Sequence, residues 1–195
     1  MRTFIAIEVP ENIRSFFTEL MPVKTLLEGV SIVHKDNFHI TLKFLGEIEE
    51  MLISEIKQTL ISIADETSSF TLKITNPGVF PDPLKPRVIW MGIENNSALI
   101  ELVKKIEENL EKSGFQRETR KFKSHITLAR VKNFRNGKYL FEKIEKNFKN
   151  KIQSVALKEG ISEYQFSVKE FVLMKSTLTP HGSIYSVLKR FPLSK

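Results

Sequence analysis

The 195-residue sequence contains no cysteine, and no apolar run approaches the ~18 residues that a membrane-spanning helix needs. The lack of cysteine excludes disulfides, iron–sulfur clusters, cysteine-ligated zinc and a cysteine nucleophile. The first residues carry one arginine and a short apolar run that meets Glu8, which is unlike a secretory signal. We therefore expect a cytoplasmic protein without membrane segments.

Acidic side chains are outnumbered, and the excess of positive charge is uneven. The net charge is +7, with −3 in residues 1–60 and +10 in residues 61–195. Basic side chains are densest between Arg117 and Lys138. Such an excess favours a polyanionic partner such as nucleic acid, although an ordinary solvated surface would show the same bias.

The spacing of apolar residues predicts an α+β protein with about ten strands and four helices. The helices are centred on residues 13–21, 52–63, 97–110 and 140–148, and the third can be capped by Asn95-Asn96-Ser97 and should end near Gly114. Strands are predicted at 2–8, 31–35, 38–45, 69–75, 87–93, 124–131, 153–158, 165–177 and 184–191. The proline-rich segment 76–87 is predicted as a loop. Successive strands are too close for helical crossovers, which indicates largely antiparallel sheets.

The tetrapeptide HITL occurs twice, at residues 39–42 and 125–128, so two of the four histidines precede the same triplet. The copies lie 86 residues apart, and each is preceded by helix and strand signals and followed by a helix. We interpret this as two similar lobes, each with one HITL strand. No low-complexity linker separates them, so residues 1–195 are predicted to form a single domain.

Alternation along a strand places His39 with Thr41, and His125 with Thr127, on the face opposite the isoleucine and leucine of each motif. The apolar pair belongs in the core, so the polar pair faces solvent or a cleft. An approximate two-fold relation between the lobes would gather two imidazoles and two hydroxyls around one site. A lone strand histidine is usually an ordinary surface residue, but the duplication favours the functional interpretation.

Two imidazoles suit paired proton transfer, because histidine titrates near ~6.5 and one ring can accept a proton while the other donates one. Threonine hydroxyls and nearby cations can hold the non-bridging oxygens of a phosphoryl group. The combination fits in-line phosphodiester chemistry without metal. A zinc site on His39 and His125 is disfavoured, since no paired carboxylate accompanies either motif.

The paired HxTx pattern resembles the two signature motifs of the 2H phosphoesterase superfamily. The similarity extends along the chain to RTFIAI at 2–7, HITLKFLGE at 39–47, PRVIW at 86–90, HITLAR at 125–130 and GSIYSVLKRFPL at 182–193. These segments resemble the RNA 2′,3′-cyclic phosphodiesterase branch, also described as 2′-5′ RNA ligase-like. The resemblance implies a bilobal, pseudo-two-fold fold with two mainly antiparallel sheets and flanking helices around a central cleft.

The resemblance also implies an activity: hydrolysis of the 2′,3′-cyclic phosphate of RNA or of a nucleoside to a 2′-phosphate, without metal or cofactor. It makes His39 the proton donor to the departing 3′-oxygen and His125 the proton acceptor that activates water. Thr41 and Thr127 would contact phosphate oxygens. The implied partners are RNA with cyclic-phosphate ends or cyclic nucleotides, and the implied enzyme is a monomer with no obligate protein partner and no membrane.

The resemblance implies further site residues. Arg130 completes HITLAR, where the family has a cation near the phosphate, but alternation puts it on the Ile126 face, so it needs a bulge to enter the site. Tyr185 matches the tyrosine of the C-terminal motif and either lines the cleft, stacks on a base or simply packs. Among the remaining candidates, we expect Phe44 and Trp90 to lie in the core and His34 and His181 to lie on the surface. A role for Arg2 in the cleft is left open.

Two alternative functions stay open. The chain could be an RNA-binding module that has kept the fold and lost useful turnover, although the intact histidines and threonines of both motifs argue against it. It could also join RNA ends through 2′-5′ linkages, which is the reverse chemistry on the same site.

Overall fold

The computed structural model describes residues 1–22, 27–159, 164–179 and 182–195, with the backbone alone over 154–159. The helices are α1 (Glu11–Leu20), α2 (Leu52–Asp65), α3 (Ser97–Lys112) and α4 (Phe134–Glu159), and a 3-10 turn covers Lys35–Asn37. The strands are β1 (Arg2–Glu8), β2 (Val30–Ile32), β3 (His39–Glu47), β4 (Phe70–Phe80), β5 (Val88–Ile93), β6 (His125–Val131), β7 (Gln165–Val168), β8 (Glu170–Thr179) and β9 (Gly182–Pro192). The predicted α+β class is confirmed.

The strands form antiparallel neighbours in the order β7-β4-β5-β6-β3-β1-β8-β9, and β2 adds to β6. The two HITL strands, β3 and β6, meet in the middle, where Ile40 pairs with Ile126. The two antiparallel sheets that the sequence predicts are therefore two halves of one sheet, which join at this contact. One half is β3-β1-β8-β9 and the other is β6-β5-β4-β7.

The halves repeat one arrangement and exchange a strand. The order β1-α1-β3-α2 recurs as β5-α3-β6-α4, apart from the short β2 and the 3-10 turn. The strand that follows α2, β4, pairs with β5 of the second half, and β8, which comes after α4, pairs with β1 of the first. The exchange explains why no linker separates the lobes in the sequence.

One large hydrophobic core lies against one face of the sheet. The buried side chains of the helices share a cluster with Ile40 and Leu42 of β3 and with Ile126 and Leu128 of β6. The cluster that the described residues form on the other face is small and consists of Phe4, Ala6, Val172 and Met174 with Tyr185 packed against it. This second face is the one on which the polar residues of the motifs lie.

Helix α3 has the predicted boundaries. The Asn96 side chain accepts a hydrogen bond from the Leu99 amide at 3.0 Å, and the helix ends at Lys112, just before Gly114 with a φ of 88°. No helix among the described residues is long and apolar enough to cross a bilayer.

Three predictions about secondary structure are wrong. The single strand predicted at 165–177 is divided at Lys169 into β7 and β8. The loop predicted at 76–87 is strand as far as Phe80, because β4 continues through Pro77 after an irregularity in its pairing with β5. A proline needs no ladder partner at such a point. The strand predicted at 153–158 lies within α4 instead. Short apolar runs do not distinguish a strand from a helical segment by periodicity.

Candidate active site

Strand β6 contains a β-bulge directly after its HIT sequence. Trp90 of β5 pairs with Thr127, whereas Ile89 pairs with Ala129, so Leu128 is an additional residue. The bulge resets the alternation. Leu128 and Ala129 are both buried, and Arg130 is exposed on the face that His125 and Thr127 share. The bulge that the sequence required for Arg130 to enter the site is therefore present.

Strand β3 repeats this bulge at the same place in its motif. Ala6 of β1 pairs with Thr41 and Ile5 pairs with Lys43, which leaves Leu42 as the additional residue. Lys43 is consequently buried, and Phe44 emerges on the face of His39 and Thr41 with 66% of its surface exposed. The core position expected for Phe44 is therefore wrong, because the expectation assumed regular alternation.

We call the side of the sheet that carries His39, Thr41, His125 and Thr127 the motif face. Both imidazoles are anchored there by the backbone. The Nδ1 atom of His39 lies 2.7 Å from the Asn37 carbonyl oxygen, and that of His125 lies 2.7 Å from the Lys123 carbonyl oxygen. A carbonyl oxygen only accepts hydrogen bonds, so each Nδ1 carries a hydrogen and donates it. The Nε2 atom of each ring is left to take up or release a proton.

Aromatic rings flank both histidines. The His39 ring lies 5.0 Å from Phe4 and 5.3 Å from Tyr185, centroid to centroid. The His125 ring lies 5.2 Å from Phe80 and 6.2 Å from Trp90. These contacts hold the imidazoles in partly buried positions on the motif face. Tyr185 therefore lies at the site, beside the first histidine.

The surroundings lower the pKa of both imidazoles. Burial is the largest cause that lowers the pKa of His39, and the charges of Arg130 and His125 lower it further against the opposing hydrogen bond to Asn37. Burial likewise lowers the pKa of His125, with the charges of Lys123 and Arg130 adding to it against the hydrogen bond to Lys123. Arg130 acts on both histidines, so the three groups belong to one site.

The structure thus brings together the predicted residues of both motifs. Thr41 and Thr127 are half-buried on the motif face, opposite Ala6 and Trp90 of the neighbouring strands. His34 is exposed as expected, and its Nδ1 accepts a hydrogen bond from the Asp36 amide. Arg2 is exposed at the start of β1. His181 lies outside the described residues.

Sequence reasoning misses Phe80 and Trp90 as neighbours of His125. Phe80 falls in the segment predicted as a loop. Trp90 is expected in the core, but its ring lies beside that of His125. The Lys123 ammonium lies 4.5 Å from the Trp90 ring and 5.0 Å from the Phe80 ring. Gly78 makes room for Trp90, since a Cβ atom there would lie 2.3 Å from the indole. The pairing of the PRVIW strand with the HITLAR strand is the signal that could have revealed them.

The basic stretch divides into paired and unpaired side chains. Arg117 contacts Glu108 and Glu111, Arg120 contacts Glu118, and Lys138 contacts Glu142. Lys121, Lys132 and Arg135 are exposed and have no ion-pair partner among the described residues. Within the same described part of the chain, no three His, Asp or Glu side chains are grouped as metal ligands would be.

Comparison with known proteins gives the same picture. The LigT-like phosphoesterase family model matches residues 7–90 and again residues 92–185, so each match contains one HITL strand. An RNA 2′,3′-cyclic phosphodiesterase of Methanocaldococcus jannaschii is 38% identical over 191 residues, which cover 98% of this chain and 100% of that protein. A protein of the same name from Thermotoga maritima is 37% identical, covering 96% of this chain and 93% of its own length.

Solved structures agree with the sequence relatives. A crystal structure of a Thermus thermophilus protein has a TM-score of 0.77 at 25% identity, with 99% of this chain and 98% of that chain covered. E. coli LigT complexed with 3′-AMP has a TM-score of 0.72 at 25% identity, with 100% and 98% covered. The two matches to one family model and the full-length relatives show that the chain belongs to the LigT-like phosphoesterases, a family of 2H phosphoesterases.

Proposed function

We propose that the protein is an RNA 2′,3′-cyclic phosphodiesterase that opens the cyclic phosphate of an RNA end, or of a nucleoside, to a 2′-phosphate. The observation that carries the proposal is the pair of backbone-anchored histidines, His39 and His125, with Arg130 acting electrostatically on both. The full-length relatives that bear this activity as their name support the choice of substrate.

The substrate is an anion, and the motif face offers it a cation and two hydroxyls. Arg130 is exposed and has no carboxylate partner among the described residues, so its guanidinium is available to the non-bridging oxygens of the phosphate. Thr41 and Thr127 lie on the same face and can donate hydrogen bonds to those oxygens. The phosphorus would then lie between the two imidazoles, as in-line displacement requires.

Proton transfer follows from the anchoring of the two rings. Nε2 of His125 takes a proton from a water molecule as the water oxygen bonds to phosphorus. His39 enters the reaction as the imidazolium, and its Nε2 gives a proton to the 3′-oxygen as the bond between phosphorus and that oxygen breaks. The product carries a 2′-phosphate and a free 3′-hydroxyl, and solvent resets both rings. The cation of Lys123 beside His125 opposes its protonation, which favours the role of base.

The 2′-5′ ligation alternative uses the same residues, because the 5′-hydroxyl of a second RNA in place of water would leave a 2′-5′ linkage and a free 3′-hydroxyl. We further propose a single domain of two lobes over residues 1–195, acting as a cytoplasmic monomer without metal. The common hydrophobic core and the contact between β3 and β6 support the single domain. No paired carboxylate accompanies either motif, which favours metal independence.

The test is turnover of 2′,3′-cyclic AMP and of a cyclic-phosphate-ended oligonucleotide by protein dialysed against EDTA and assayed in excess EDTA. We expect both substrates to be hydrolysed to the 2′-phosphate, identified by phosphorus NMR, and the variant with both His39→Ala and His125→Ala to be slower by ~10²–10⁴-fold. Activity that is lost in EDTA and restored by Zn²⁺ or Mn²⁺ would contradict the mechanism. Tight RNA binding without turnover would favour the binding module instead.

A further inference from the structure

Asn37 and Lys123 stand two positions before His39 and His125. Their backbones play the same role in both halves, but their side chains differ. The carbonyl oxygens of Asn37 and Lys123 each accept the Nδ1 hydrogen of the following histidine. The Asn37 side-chain amide donates to the Ser183 carbonyl oxygen at 3.3 Å, so it is engaged in the fold. The Lys123 side chain instead extends over the Trp90 and Phe80 rings.

Lys123 is a positioned cation whose charge is not neutralised. Aromatic faces attract an ammonium group without cancelling its charge, and they restrict where it lies. None of the described carboxylates makes an ion pair with Lys123, whereas Arg117, Arg120 and Lys138 of the same basic stretch all have glutamate partners. A cation kept in place and left unpaired is suited to bind an anion.

The location of Lys123 differs from that of Arg130. Arg130 acts on both histidines and is therefore placed for the phosphate that reacts between them. The Lys123 ammonium lies over Trp90 of β5 and Phe80 of β4, and both strands are on the side of β6 away from β3. Lys123 therefore lies on the side of His125 away from His39, where a second phosphate of the same RNA strand could reach it.

We propose that Lys123 binds the phosphate on the 5′ side of the terminal nucleotide, so that RNA ends are preferred over nucleoside cyclic phosphates. The proposal rests on the proposed function, since it assumes that the cyclic phosphate lies between His39 and His125. It gives the enzyme a recognition element for the strand that does not read the base. The contact is charge-assisted and reaches only substrates that carry a 5′-phosphoryl group.

The experiment compares 2′,3′-cyclic AMP with its 5′-phosphorylated form and with the dinucleotide ApA that ends in a cyclic phosphate. We expect the wild-type protein to have a higher kcat/KM for both phosphate-bearing substrates, mainly through a lower KM. Lys123→Met should reduce that advantage about tenfold, as expected for a hydrogen bond to a charged group. Lys123→Arg should retain most of it. Lys104→Met, which removes an exposed cation from α3, is the matched control and should leave the ratio unchanged.

The outcomes separate this proposal from the function on which it rests. An unchanged substrate ratio in Lys123→Met overturns the phosphate site, and so does an equal loss on all three substrates, which would mean that Lys123 acts only through His125. No turnover of 2′,3′-cyclic AMP by the wild-type protein overturns the proposed function itself. Loss of the Lys123 charge should also move the His125 limb of the pH profile upward on every substrate, which leaves the ratio between substrates unaffected.

Discussion

After the shared HITL sequence, β3 continues with Lys43 and Phe44, whereas β6 continues with Ala129 and Arg130. The bulge is the same in both strands, so Lys43 and Ala129 both point into the protein while Phe44 and Arg130 both emerge on the motif face. The repeat therefore preserves the directions of the side chains and changes their chemistry. At these emergent positions the His125 side carries positive charge, and the His39 side is aromatic and neutral.

Lys43 and Ala129, the residues that point into the protein after each HITL sequence, also differ in chemistry. Ala129 packs without a polar group, but the Lys43 ammonium lies 2.5 Å from Glu107 Oε2 and 2.8 Å from the Gln116 carbonyl oxygen. The same glutamate oxygen accepts a hydrogen bond from the Glu118 amide. The ion pair ties the strand of the first histidine to the segment that leads to the second one. Ala129 cannot make such a pair in the other half.

The largest loss of activity is expected from substitutions of the two histidines, which both halves of the sheet share. Replacing either His39 or His125 by alanine removes one proton transfer and should lower kcat by ~10²–10⁴-fold. The double variant should be little slower than the worse single variant, because the two groups act as a unit. Single-turnover rates of the three variants, with circular dichroism to confirm folding, test this. Near-wild-type turnover by a folded His125→Ala protein would contradict the paired mechanism.

Substitutions of Arg130 and Phe44, the residues that emerge after the two bulges, should differ in their effect on activity more than substitutions of the two histidines do. Arg130→Ala removes the cation from the reacting phosphate and should lower kcat/KM by ~10²–10³-fold on every substrate. Phe44→Ala removes a neutral ring that can stack but cannot hold a phosphate, so we expect about a tenfold rise in KM with little change in kcat. Arg130→Lys should recover part of the activity. Comparable kcat losses in Arg130→Ala and Phe44→Ala would break the distinction between the two sides.

The buried ion pair should matter for stability. Lys43→Met leaves Glu107, whose side chain is only 14% exposed, without its partner and should cost about 3 kcal/mol in the free energy of unfolding. Adding Glu107→Leu should restore most of that loss, since an apolar pair of similar size is tolerated. The control is Lys138→Met, which breaks an exposed pair 3.9 Å apart with Glu142 and should cost at most about 0.5 kcal/mol. Urea unfolding followed by circular dichroism measures all three.

Acidification should weaken the fold through both histidines. Their folded-state pKa values are lowered, so just below pH 6.5 the unfolded chain binds protons that the folded protein does not. The stabilisation is present above the unfolded-state pKa and is lost as the pH falls through the folded-state values. The variant with His39→Asn and His125→Asn should therefore lose less stability than wild type between about pH 7.5 and about pH 5.5 in urea titrations.

The smallest expected effect is that of the outlying cations on the His125 side. Replacing Lys121, Lys132 and Arg135 by methionine should weaken binding of cyclic-phosphate-ended RNA and flatten its logarithmic salt dependence by ~0.7 for each phosphate that is no longer neutralised. Turnover of 2′,3′-cyclic AMP should hardly change. Equal reductions on the RNA and on the mononucleotide, measured across a salt series, would make these side chains ordinary solvated surface.

Alternation along the strands is enough to place His39, Thr41, His125 and Thr127 on one face, because these four residues precede the bulges. It is not enough for Phe44, which follows one, since the additional residue of a bulge shows only in the pairing with the neighbouring strand. Family resemblance, and not periodicity, identifies Arg130. The contacts of Phe80 and Trp90 with His125 escape prediction for a related reason, because they depend on how β4 and β5 pair. The segment before Phe80 has the composition of a turn, but the pairing with β5 keeps it in a strand.

Trp90 is the one tryptophan of the sequence, and its ring borders His125, Phe80 and Lys123. When the folded protein is excited at the red edge of its absorption, the emission therefore comes from a single fluorophore next to His125. An indole is quenched by a protonated imidazole at short range and responds to a changed neighbouring charge. The intensity should thus report the protonation of His125 and the arrival of an anion at Lys123 without any label. The protein carries an optical probe of its own site.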